Sequence, residues 1–127
     1  MPRQAMSLAV LAALMGAAGV ALAALSSHAE GGELGRTGAM FLILHAAALV
    51  GVAAHVRIAD WRTARALLVV AGALALGTLL FSGDLTARAF AGGRLFPMAA
   101  PSGGTLMILS WIALAIVFAV GAMREEN

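Results

Sequence analysis

The sequence predicts an all-α integral membrane protein, a bundle of four membrane-spanning helices. Hydrophobic residues make up 62% of the 127 residues, and charged residues make up only 11%. A soluble domain carries about 25% charged residues, so this chain lacks the charge needed to cover a water-facing surface. We therefore expect a single transmembrane domain over residues 1–127, with no room for a separate soluble module.

Four apolar stretches carry this prediction. They cover residues 5–25, 39–56, 64–81 and 105–123, and Arg65 is the one Arg, Asp or Glu within them. A stretch of about 20 residues rising about 1.5 Å per residue crosses a hydrocarbon core of about 30 Å. The first stretch has a signal-peptide alternative, because Arg3 precedes it and Ala21-Leu22-Ala23 resembles a cleavage site. Its length exceeds the usual apolar region of about 7–15 residues, which favours a retained span.

The placement of arginine predicts the orientation in the membrane. Arginine is enriched in cytoplasmic connections of membrane proteins. The N-terminus, second connection and C-terminal tail form one group, and the first and third connections form the other. The first group holds Arg3, Arg57, Arg62, Arg65 and Arg124, and the second holds Arg36, Arg88 and Arg94. Both termini are therefore predicted to be cytoplasmic.

The connection before the fourth span, residues 82–104, is predicted to be more than a loop. Leu85, Ala89 and Phe90 share helical spacing, which indicates a short interfacial helix. A re-entrant segment is the alternative, provided that protein surrounds its backbone. Pro101 suits the first turn of the following helix, and Ser102 is its predicted cap.

Small residues recur at intervals of four and predict close helix packing. In lipid, small side chains let helix backbones approach each other. The main interpretation is packing within one bundle, and the alternative is homo-oligomerisation through a surplus face. The glycines predicted at helix contacts are Gly16, Gly19, Gly51, Gly77, Gly103 and Gly104.

The histidines are the first candidates for chemistry, because ionisable groups within a span are costly. His45 lies inside the second span, and His28 follows the first. The simplest interpretation of His45 is a neutral imidazole bonded to a Ser, a Thr or a backbone carbonyl of a neighbouring helix. The alternatives are a proton relay, a ligand-binding role, or a metal or haem site shared with His28.

A second polar group lies at the outer end of the third span. Ser82, Asp84 and Arg88 cluster there, and the last two have the i,i+4 spacing of a helical ion pair. Such a pair on a surface contributes little stability. The functional alternative is that these residues shape an outer cavity together with His28.

The sequence contains no arrangement typical of catalysis. It has no cysteine, no nucleophile beside a base and no phosphate-binding loop, so we predict neither an enzyme nor a metal or cofactor site. Its eight basic residues are scattered between the spans, which argues against nucleic acid binding.

Several motifs along the chain resemble those of small bacterial membrane proteins in the domain-of-unknown-function family 423. The matching pieces are residues 16–22 with His28, residues 37–38 with His45, residues 77–85, and residues 101–104 with Trp111. Two departures are the missing Tyr before the second-span His and the presence of Ala100 where the family usually has Thr. The resemblance implies four spans in a bacterial inner membrane, and it implies no established activity.

Three functional hypotheses follow. The leading one is a non-enzymatic membrane protein that associates with a membrane-protein partner, with a second copy of itself or with the lipid bilayer. The second is a small transporter or channel, proton-linked through His45. The third is a metal- or haem-binding membrane subunit that uses His28 and His45.

Overall fold

The computed structural model describes residues 1–30 and 32–125, the last of these by its backbone only. Four long helices account for nearly all of this part of the chain. They are α1 (Pro2–Ser27), α2 (Glu33–Ile58), α3 (Trp61–Phe90) and α4 (Ala99–Glu125). Each is long and apolar enough to cross a membrane, so the predicted all-α fold with four spans is confirmed. Residues 126 and 127 of the predicted tail lie outside the described residues.

The helices extend well beyond the apolar stretches, which corrects the prediction for residues 82–104. Residues 82–90 continue α3 without a break, so they do not form a separate interfacial helix. Only residues 91–98 connect α3 to α4. Ser102 is not the cap of α4, because that helix begins at Ala99 and places Pro101 in its first turn. The polar residues at the end of α3 can remain helical because the helix backbone satisfies its own hydrogen bonds.

A side-chain cap fixes the turn between α2 and α3. Asp60 precedes α3 and accepts hydrogen bonds from the backbone N–H groups of Arg62, at 2.9 Å, and of Thr63, at 3.2 Å. The Thr63 hydroxyl donates to the other carboxylate oxygen of Asp60. These bonds satisfy donors that a helix start otherwise leaves unpaired, so α3 begins sharply after a connection of only two residues.

The helices pack mainly in chain order. Helix α1 packs on α2, α2 on α3, and α3 on α4, while α1 also touches α3. Among the described residues, no Cα of α4 lies within 8 Å of a Cα in α1 or α2. The buried core of the described residues accordingly draws mainly on α1, α2 and α3, whereas α4 contributes only Met107 and Leu114 and lies at one flank of the bundle. Its outward face includes Ile108, Ile112 and Ile116, each more than half exposed.

Glycines mark two close helix crossings. A Cβ added to Gly103 would lie 2.6 Å from the Gly77 carbonyl oxygen, so the α3 and α4 backbones touch there. A Cβ added to Gly19 would lie 2.7 Å from Ile43 Cγ1 on α2. Both crossings need the absence of a side chain.

Other glycines that were predicted at helix contacts are packed less tightly than Gly19 and Gly103. Gly16 makes ordinary contact with Ala46, and Gly104 lies at the edge of contact with Phe81. Gly51 has no neighbouring atom within 4 Å of the position a Cβ would take, so its predicted place at a helix contact in this chain is wrong. It lies on the exposed side of α2, which the four-residue spacing alone could not reveal.

Candidate functional site

His45 lies at the centre of a contact between α2 and α4. Its side chain is only 6% exposed, so it faces the protein rather than lipid. The ring Nδ1 lies 2.8 Å from the Phe41 carbonyl oxygen, one turn earlier on α2. The indole N–H of Trp111 on α4 donates to His45 Nε2 across 3.1 Å. Both nitrogens of the imidazole are therefore engaged.

These two partners determine which nitrogen of His45 carries the proton. A carbonyl oxygen only accepts, so Nδ1 is the protonated nitrogen and donates to Phe41. An indole N–H only donates, so Nε2 uses its lone pair to accept from Trp111. This is a neutral imidazole whose hydrogen-bonding capacity is fully used. Neither a proton transfer nor a metal bond at Nε2 is compatible with the Trp111 contact.

Aromatic side chains surround the imidazole. The Phe41 ring stacks on His45 with the two ring planes only 10° apart. Phe41 also meets Phe81 on α3, with ring centroids separated by 4.6 Å. The cluster of Phe41, His45, Phe81 and Trp111 thus joins three helices, and aromatic pairs in such geometries attract one another.

A second histidine on α2 repeats this bridge closer to the chain termini. His55 Nδ1 lies 2.9 Å from the Gly51 carbonyl oxygen, and its ring meets Phe118 of α4 edge-on at 5.1 Å. A half-open cavity of about 220 Å³ lies beside this pair, between α2, α3 and α4. The two histidines of α2 therefore span the gap that separates its backbone from α4.

Asp84 lies near the C-terminal end of α3 and holds the α3–α4 connection in place. Its side chain is fully buried in the protein. One oxygen accepts from Arg88 Nη2 at 2.6 Å, and the other accepts from the Leu95 backbone N–H at 2.9 Å. Because Leu95 belongs to the α3–α4 connection, this carboxylate ties the connection to the helix. The predicted Asp84–Arg88 pair forms, but its carboxylate is buried instead of lying on a solvated surface.

The other predicted polar residues take no part in these contacts. His28 is exposed beyond the end of α1, and within the described residues its side chain makes no hydrogen bond. It is not a partner of His45, so the two do not form the suggested pair. Ser82 is 1% exposed, and its hydroxyl finds no partner in the described part of the chain. No group of three or more potential metal-ligating residues occurs within that part either.

Sequence reasoning missed several of the residues that make these contacts. It did not assign a partner to Trp111, although that residue ends one of the motifs that resemble the family. It also missed Phe41, Phe81 and the Leu95 N–H. These groups make contacts between helices or through backbone atoms, and such contacts leave no pattern in the sequence. Ser26 and Ser110 are further buried hydroxyls that it did not single out.

Comparison with known proteins shows the family. The sequence profile described as "Protein of unknown function (DUF423)" matches residues 15–104. The chain is 32% identical to the UPF0382 inner membrane protein YgdD of Escherichia coli strain K12, over 91% of each chain. The YgdD protein of Shigella flexneri gives the same identity and coverage. No solved structure matches the chain. Because the profile covers more than half of its residues, this chain belongs to the DUF423 family of proteins of unknown function.

Proposed function

We propose that this chain is a non-enzymatic membrane protein that works through lateral contacts of its helices with lipid or with a membrane partner. The observation that carries the proposal is the position of α4 at the flank of the bundle. Its backbone approaches only α3 among the described residues, and its outward face is apolar. Such a face is free to contact lipid or another transmembrane helix.

The buried polar groups support a non-catalytic role. Both nitrogens of His45 and both oxygens of Asp84 are used in contacts that hold helices or the connection in place. A catalytic base or acid needs hydrogen-bond reach to a substrate proton. Before they could act in this way, Asp84 and His45, the two most buried ionisable side chains of the described residues, would have to lose these structural partners. The same engagement of His45 argues against a proton-linked channel that uses this residue.

Photo-crosslinking in native membranes tests this proposal. A photoreactive residue replaces Ile112, which is 54% exposed on the outward face of α4, and a control replaces Leu114, which is 2% exposed on the same helix. We expect Ile112 to give adducts with one partner protein or one enriched lipid class, and Leu114 to give neither. Adducts at Ile112 that contain no protein and only mirror the bulk lipid composition would overturn the proposal.

We orient the chain with both termini in the cytoplasm. The support is the excess of arginine at the end of the bundle where α1 begins, α4 ends and α2 turns into α3, with five residues there against three at the other end. The natural chain has no cysteine, so single cysteines can be labelled cleanly. An impermeant maleimide on intact spheroplasts should label Gly93→Cys and leave Gln4→Cys unlabelled. The opposite pattern would reverse the orientation.

A further inference from the structure

We infer that the groove between the outer ends of α3 and α4 is a binding site for the headgroup of an anionic phospholipid. The inference rests on the proposed function, because it names a lipid class and a place for a lateral lipid contact. The groove has a volume of about 580 Å³ and opens to the outside of the bundle. Two arginines, Arg88 and Arg94, line its outer end, and the other lining residues are apolar except for Thr105.

The depths of these side chains match the layers of a lipid monolayer. Phe81 and Ile108 line the groove where the apolar stretches of α3 and α4 meet the hydrocarbon core. Arg88 lies seven residues beyond Phe81 on α3, which corresponds to about 10 Å along a helix. The headgroup region extends several Å beyond the hydrocarbon core on each side of a bilayer. The Arg88 guanidinium, however, bonds to Asp84, which lies only three residues beyond Phe81, or about 5 Å along the helix, and is therefore at headgroup depth. The Leu95 N–H binds the same carboxylate, which holds the neighbouring Arg94 backbone near that level. The apolar walls lie at acyl-chain depth.

The charge of the groove favours an anion. Asp84 offsets one positive charge by pairing with Arg88 through Nη2. Arg94 is exposed, and its side chain makes no hydrogen bond within the described residues, so it leaves the groove with an uncompensated positive charge. The Arg88 side chain is 26% exposed, so a headgroup can meet its accessible part, whereas its Nε is buried without a partner in the described part of the chain. The N-terminus of α4, which is the positive end of its helix dipole, lies at the same place.

Asp84 is the positioning residue of this site. It holds the Arg88 side chain through one carboxylate oxygen and the backbone of Leu95 through the other. Leu95 follows Arg94 directly, and its side chain rests against Gly83, where an added Cβ would lie 3.3 Å from Leu95 Cδ1. Both arginines are thereby fixed on the same side of α3. The buried Asp84 carboxylate and its two partners therefore preorganise the groove in the absence of lipid.

Native mass spectrometry of the full chain in mild detergent tests the site, with phosphatidylglycerol and phosphatidylcholine added in parallel. We expect preferential binding of phosphatidylglycerol. Arg94→Gln should weaken that binding by about fivefold, the effect of about one basic residue at an anionic membrane surface. Arg94→Lys should retain most of it because the charge remains. Arg36→Gln is the matched control, since Arg36 is exposed and lies outside the groove, and it should bind like the natural chain.

Three results would overturn the inference. These are equal binding of the two lipids, unchanged binding in Arg94→Gln, and displacement of phosphatidylglycerol by millimolar inorganic phosphate, which would indicate a site for free phosphate. Because the Arg94 side chain makes no hydrogen bond to any residue that the structure describes, its replacement should leave the fold intact. The crosslinking at Ile112 reports on a position one helical turn beyond Ile108, where the lining of the groove ends, and it does not depend on Arg94. If phosphatidylglycerol does not bind preferentially but Ile112 gives the expected adducts, the proposed function still holds. If Ile112 gives no specific adducts, the lipid-binding measurement on the groove remains interpretable.

Discussion

The indole N–H of Trp111 donates a hydrogen bond to His45 Nε2 across 66 residues of sequence and between two helices whose backbones do not meet. In the described part of the chain, this bond and the edge-on contact of His55 with Phe118 are the two ring contacts that connect α2 to α4. Backbone packing of α4 otherwise depends on α3 alone among the described residues. His45, a polar residue within a membrane span, therefore helps to define the position of α4.

We expect Trp111→Phe to destabilise the folded protein in detergent by about 0.5–2 kcal/mol. The substitution keeps an aromatic ring but leaves the buried Nε2 of His45 without a donor. Thermal or denaturant unfolding of the single variants and of the double variant with His45→Phe forms a cycle that isolates the pair. The double variant should lose less stability than the sum of the two single variants.

Trp61→Phe is the matched control for this cycle. Trp61 is 62% exposed, and its indole N–H makes no hydrogen bond with the described residues. Its replacement should change stability by less than about 0.5 kcal/mol. If Trp111→Phe is as neutral as Trp61→Phe, the indole–imidazole bond does not stabilise the bundle.

The crossing of α3 and α4 gives a second prediction. Gly103→Ala would place a Cβ 2.7 Å from the Phe81 backbone nitrogen and close to the Gly77 carbonyl oxygen, and backbone atoms cannot move aside like a flexible side chain. We expect a loss of about 1–3 kcal/mol of stability. The same unfolding measurement on Gly72→Ala provides the control.

Gly72 lies on α3 with no atom within 4 Å of the position its Cβ would take. Alanine favours a helix over glycine by up to about 1 kcal/mol, so this control should be neutral or slightly stabilising. Equal stability of Gly103→Ala and Gly72→Ala would mean that α3 and α4 can move apart at no energetic cost, which would contradict the close crossing.

The bonds of Asp84 predict how the α3–α4 connection is held. Asp84→Ala removes the acceptor for the Leu95 N–H and the partner of Arg88, whereas Arg88→Ala removes only the ion pair. Hydrogen exchange of the peptide that contains Leu95 should accelerate on the order of tenfold in the first variant and much less in the second. Equal acceleration in both would show that the ion pair, not the backbone contact, holds the connection.

The four spans were predictable because a membrane imposes both a length and an apolar composition on each crossing. Helix ends were less predictable, since those constraints stop at the membrane surface while helices continue. The segment around Ser82 and Asp84 illustrates this, because its polar residues indicated a break. Asp84 stays within α3 because Arg88, one turn later, and the Leu95 N–H satisfy its carboxylate.

The partners of His45 were only partly predictable. A backbone carbonyl was among the expected partners, but it lies on the same helix, since Phe41 is one turn away. The Trp111 contact depends on α2 and α4 flanking α3 at the same depth. Periodicity along a single helix carries no information about that relationship, so the sequence indicated a hydrogen-bonded histidine without identifying Trp111 as its partner.

Asp60 provides a prediction about pH. Hydrogen bonds from the Thr63 hydroxyl and then from the Thr63 backbone N–H hold the pKa of Asp60 below its ordinary value of 3.8, although partial burial acts in the opposite direction. The folded state thus favours the ionised carboxylate. Its contribution to stability is fully present above the unfolded pKa near 3.8 and is lost as the pH falls through the lower folded pKa.

Asp60→Asn separates the cap from the charge. Asparagine also accepts hydrogen bonds at the start of a helix, so the stability of this variant near pH 7 should be close to that of the natural chain. On acidification from pH 5 to pH 2, unfolding in detergent should show a smaller loss of stability for Asp60→Asn than for the natural chain. Asp60→Ala, which lacks both cap and charge, should unfold several degrees lower even at pH 7. Parallel acid profiles for the natural chain and Asp60→Asn would show that ionisation of this carboxylate does not contribute to the turn between α2 and α3.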